Sequence, residues 1–124
     1  MDKYNLGTVG GGMIITELFS GIEGSLNGPK QGSITLNDDI TNYKFLVFDL
    51  KIAHDVNAIR YITRLVSVEQ IKNLINDNTN NVAVSFVWGY SNNTDYFNII
   101  YGTTTKILQC VANKSQCLKI VGIN

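Results

Sequence analysis

The segment Trp88-Gly89-Tyr90-Ser91-Asn92-Asn93-Thr94-Asp95-Tyr96 concentrates the binding chemistry of the chain. Aromatic rings can cover the apolar faces of sugars, while amide and carboxylate side chains satisfy neighbouring hydroxyls in a fork. Trp88, Tyr90, Asn92, Asn93, Asp95 and Tyr96 are therefore the candidate ligand-binding residues. A second reading stays open, in which Trp88 and Tyr96 fill the core and Asn92-Asn93 makes a hairpin turn.

The two cysteines, Cys110 and Cys117, flank Val-Ala-Asn-Lys-Ser-Gln. A two-residue turn at Asn113-Lys114 would make 104–111 and 117–123 a hairpin with Cys110 directly opposite Cys117. Opposed Cβ atoms approach to about 4.5–5.5 Å, slightly beyond the roughly 3.5–4.5 Å of a disulfide. A strained bridge and a pair of reduced, apolar-like thiols both fit this spacing. A metal site does not, because two thiolates lack further cysteines and the single His54 belongs to another strand end. His54 and Asp55 sit where a strand meets a turn and read as structural or solvent-facing. Asp38 and Asp39 are adjacent turn-formers that point different ways. No G-x-S-x-G, H-E-x-x-H, P-loop or dinucleotide fingerprint occurs, so no catalytic residue and no cofactor is expected.

The elements that must position these residues follow from composition. Among 124 residues there are fifteen Asn, fifteen Ile, ten Val and ten Thr against one Pro and one Trp. β-branched and aromatic residues favour a pleated surface, whereas Asn and Gly favour turns. Ten Lys and Arg balance ten Asp and Glu, and without a basic cluster nucleic acid is not an expected partner. No apolar run approaches the length of a membrane span, and the N-terminus lacks the pattern of a secretory signal.

From Met13 onward, apolar runs alternate with turn residues at intervals of about eight to twelve, as in a sandwich or barrel. The runs predict strands at 14–19, 33–36, 44–52, 60–68, 82–88, 95–101, 104–111 and 117–123. Val68, Ile71, Leu74 and Ile75 recur at helical spacing, so one short helix is expected near 69–75, with Ser67 as cap and Gln70 completing a capping box. The expected fold is all-β: an antiparallel sandwich, jelly-roll-like, of about eight strands, with an eight-stranded barrel as the rival. Residues 1–12, with Gly7 and Gly10-Gly11-Gly12, read as a flexible leader, and 13–124 as a single domain. Alternation places Leu46, Phe48, Leu50 and Ile52 inward, as it does Val82, Val84, Phe86 and Trp88. Phe45 and Val47 then point outward, side by side, as a candidate subunit contact.

Leu18-Phe19-Ser20-Gly21 and the stretch from Gly32-Ser33-Ile34-Thr35-Leu36 through Asn42-Tyr43-Lys44-Phe45-Leu46 resemble the start of small β-rich modules of bacteriophage and prophage tail-fibre and baseplate-associated proteins. The closing Cys117-Leu118-Lys119-Ile120-Val121-Gly122-Ile123 resembles the ending of the same modules. The resemblance spans about residues 14–124. It implies a non-enzymatic virion tail protein, made in the host bacterial cytoplasm, that binds a cell-surface glycan or caps a fibre. The alternative is an assembly protein that docks only on other tail proteins. Threefold fibres imply a homo-oligomer, with a trimer favoured and Phe45 and Val47 in its interface.

Overall fold

The computed structural model describes residues 5–9, 13–53, 58–77, 79, 81–87 and 95–124. Strands β1 (Asn5–Val9), β2 (Met13–Thr35), β3 (Phe45–Ala53) and β4 (Ile59–Ser67) precede helix α1 (Val68–Asp77). Strands β5 (Ala83–Val87), β6 (Tyr96–Ile100) and β7 (Ile107–Ile123) complete the chain. All pairings are antiparallel and belong to one hydrogen-bonded sheet. The all-β class thus holds. The described strands form one continuous curled sheet, however, because β2 and β7 run through both of its halves.

The spine is β7. One edge pairs with β2 throughout, Ile15–Ser25 against Ile123–Ser115 and Pro29–Thr35 against Asn113–Ile107. The other edge is divided: β6 takes Gln109–Asn113, and β3 takes Ser115–Ile123. The switch falls at Lys114, whose φ of 55° is left-handed for a residue with a side chain. There the strand bends, and buried Ser115 donates its hydroxyl to the Tyr96 carbonyl, tying the start of β6 to the bend. On β2 the facing stretch carries register shifts, and Gly24 at φ 118° lies against the Ser115 carbonyl where no Cβ would fit. Gly32 likewise leaves room for the Glu23 carboxylate, which pairs with Lys30 at 3.4 Å.

Four expected strands therefore become two. The runs 14–19 and 33–36 join into the bulged β2, because a continuous β7 offers partners along the whole intervening stretch. The runs 104–111 and 117–123 join into β7, because Asn113-Lys114 bends the chain instead of reversing it. The reversal comes earlier, at Tyr101–Lys106, where Gly102 has φ 86° and buried Thr103 donates to the Ile100 carbonyl at 2.8 Å while accepting from Gln109 N–H at 2.9 Å. The disulfide expectation falls with the hairpin. Cys110 and Cys117 lie on one strand, and both are free and buried. Part of the expected leader also carries structure, since β1 pairs with β2.

Curling brings the two halves face to face around a common core. Phe48 of β3 meets Phe86 of β5 at 5.1 Å between ring centroids, and Phe86 meets Phe97 of β6 at 6.2 Å. The alternation predicted for 44–52 holds, with Leu46, Phe48, Leu50 and Ile52 all buried. Helix α1 touches β4 and β5 and buries Val68, Ile71 and Leu74. Ser67 caps it by accepting from Glu69 N–H at 3.2 Å. Phe48→Ala should lose about 3–5 kcal/mol in urea unfolding, the usual range for a buried phenylalanine, while Phe45→Ala should lose far less. Equal losses would contradict this division of faces.

Candidate functional site

The outer faces of the two halves differ in chemistry. On the half built from β5, β6, the first part of β7 and the last part of β2, register sets Ser85, Asn98 and Val111 in one cross-strand row with Gln31. A neighbouring row holds Tyr96, Asn113 and Pro29, and another holds Ala83, Ile100, Gln109 and Ser33. These rows contain no charged side chain. They combine one aromatic ring, four carboxamides and two hydroxyls on a pleated surface. The side chains of Gln31, Asn98 and Gln109 have no hydrogen-bond partner among the described residues, and the Asn98 carbonyl oxygen is buried without one. A buried acceptor left unmet costs free energy that a hydroxyl or amide donor from outside would recover.

Of the residues singled out for ligand binding, Tyr96 stands on this face, at the start of β6. Trp88, Tyr90, Asn92 and Asn93 lie outside the described residues, as do His54 and Asp55. Asp95 is 1% exposed and engaged within the protein, so its carboxylate faces inward. Asn98, Gln109 and Gln31 went unmarked in the sequence because each sits inside a strand, where a polar residue reads simply as the solvent side of an alternating pattern. The missing signal is lateral: three strands, far apart in the chain, each contribute one amide to the same surface.

On the other half, the outer face runs from apolar to polar along β3 and β4. Phe45 is 39% exposed, and Val47 pairs with Leu65, itself 62% exposed. Farther along, Thr63 donates to Asp49 at 3.0 Å and the Lys51 ammonium lies 5.8 Å from the Tyr61 ring centre. A groove of about 490 Å³ opens beside them, lined by Ser20, Asp49, Tyr61, Thr63 and Lys119 among others. Its polar groups largely satisfy one another, since Lys119 also reaches Glu17 at 3.9 Å.

The remaining candidates for chemistry are structural. Burial pushes the Cys117 thiol up to about 12 and the Cys110 thiol higher still, so both stay protonated and unreactive. The Asp38 carboxylate accepts from the Tyr43 hydroxyl at 2.7 Å, from the Asn42 amide and from Asp39 N–H. Asp39 caps the 3-10 turn Ile40–Asn42 through Thr41 and accepts from Thr105 at 2.8 Å, linking two distant loops. No group of three or more potential metal ligands occurs among the described residues. Compared with known proteins, the chain matches no family model and no curated sequence.

Both carboxylates are held below the ordinary value of 3.8, Asp38 chiefly by the Tyr43 hydroxyl and Asp39 chiefly by the Thr41 hydroxyl. Depressed values in the fold mean that the contribution is complete above that value and lost as pH falls through the folded ones. Acid unfolding should therefore steepen below about pH 4, and Asp38→Asn with Asp39→Asn should flatten that limb while lowering stability at neutral pH. An unchanged acid limb would remove these carboxylates from the account.

Proposed function

We propose that this protein is a non-catalytic contact module, of the kind borne on bacteriophage tails, whose neutral face binds a cell-surface glycan. The observation that carries the reading is the unpartnered carbonyl oxygen of Asn98, set among the free carboxamides of Gln31 and Gln109 beside Tyr96. Carboxamides both donate and accept, which matches sugar hydroxyls that do the same, and the absence of charge suits a neutral saccharide. The Tyr96 ring supplies an apolar surface for the hydrogen-bearing face of a pyranose. The stretch containing Trp88 and Tyr90 leads directly into Asp95 and β6, so in sequence it adjoins this face.

Virion placement rests on the tail-module resemblance of residues 14–124. The opposite outer face, where Phe45, Val47 and Leu65 gather, supports protein contact there, leaving the neutral face for the ligand. The buried, protonated thiols accord with a role that uses surface contact in place of covalent chemistry.

A glycan array probed with the intact protein should give hits among neutral saccharides. Asn98→Ala should weaken the best hit about tenfold, the order expected when one to two hydrogen bonds are lost, with little change in melting temperature. Tyr96→Ala should weaken it further. An array without hits, or hits unaffected by both substitutions, would overturn the reading in favour of a module that docks only on other tail proteins.

A further inference from the structure

Strand β4 ends the path of the sheet, paired with β3 alone among the described residues. Such an edge presents a row of backbone N–H and C=O groups to any extended chain. Its side chains are unusually exposed for a nine-residue strand. Ile59, Tyr61 and Leu65 share the outer face with Thr63 and are 49%, 70% and 62% exposed. Arg60, Ile62, Arg64 and Val66 occupy the other face, where register sets Arg60 beside Ile52 and Arg64 beside Phe48. Neither arginine has an ion-pair partner among the described residues.

We infer that β4 pairs with β4 of a second copy of this chain, antiparallel, about a twofold axis through Thr63. The occupant and register follow from the residues. Antiparallel self-pairing must oppose residues of the same face, which restricts the axis to alignments two residues apart in pairing. Centring on Arg60, on Ile62 or on Arg64 sets Arg60 or Arg64 directly against an arginine of the other copy, which is destabilising. Centring on Tyr61 avoids this but leaves the Leu65 end of the strand without a described partner strand. Centring on Thr63 overlaps all of Ile59–Ser67 and sets Tyr61 against Leu65 twice, an aromatic–aliphatic pair on each side of the axis. Arg64 then lies over Ile62 and Arg60 over Val66, so their stems cover apolar side chains while the guanidinium groups reach water.

Inward-facing charges on an edge strand ordinarily discourage pairing. Here they discriminate among registers, because one full-length alignment keeps them apart. The resulting symmetry is twofold, in place of the trimer expected from threefold fibres. It joins two sheets edge to edge and continues the apolar outer strip of Phe45, Val47 and Leu65 toward Tyr61 of the other copy. The pairing is independent of whatever ligand the neutral face takes.

Cysteine crosslinking with a reagent spanning less than about 8 Å reads the register directly, since opposed Cβ atoms lie about 5 Å apart and residues four steps displaced about 13 Å. The intact protein carries only buried thiols, so wild type provides the blank. Thr63→Cys should give a covalent dimer in high yield and Tyr61→Cys none, with sedimentation equilibrium showing dimers at about 100 µM. Both positions are exposed, so the variants should fold; circular dichroism checks this. A monomer at that concentration, crosslinking through Tyr61→Cys, or equal yields at both sites would overturn the proposal.

Discussion

A β-strand has two edges, and β7 spends one of them entirely on β2. The other edge must then serve both β6 and β3, which cannot lie side by side on it without a change of direction. Lys114 provides that change through one left-handed residue, and Ser115 locks it by reaching the Tyr96 carbonyl. Everything else in the domain depends on the bend: it turns the two halves toward each other, brings Phe48 onto Phe86, and leaves two outer faces of different chemistry. A straight β7 would leave a flat sheet with its apolar side in water.

The alternating segments were legible because burial imposes a period of two. Leu46, Phe48, Leu50 and Ile52 follow it without exception, and so the faces of β3, including the exposure of Phe45, can be read from the residues alone. Connectivity was not legible at two places. Asn113-Lys114 has the composition of a hairpin turn, and Asn27-Gly28-Pro29 that of a loop, yet both lie within strands. Turn-forming residues also tolerate the bends and register shifts of a long strand, and only the pairing partner decides between the two uses. The hydrogen bond from Thr105 to Asp39 spans 66 residues and leaves no local trace in the sequence.

The surface shows a similar division. Aromatic and amide residues clustered in sequence drew attention to 88–96, and Tyr96 does stand on the neutral face. The amides of Asn98, Gln109 and Gln31 are brought beside it by cross-strand register, which no linear pattern records. Their value lies in combination: one unpaired carboxamide on a strand is ordinary, whereas three around a buried, unmet carbonyl oxygen form a surface that exchanges hydrogen bonds in both directions. The Asp49 groove, larger in volume, has its polar groups matched internally and so offers less to a ligand.

Side-chain amide resonances report on that surface one group at a time. In a titration with a neutral oligosaccharide followed by nitrogen–proton correlation spectra, the carboxamide signals of Gln31, Asn98 and Gln109 should shift together and saturate at one concentration, with the Tyr96 ring protons moving in step. Shifts confined to Tyr61 and Thr63, or carboxamide signals that stay fixed at saturating sugar, would contradict the assignment of the neutral face as the binding surface.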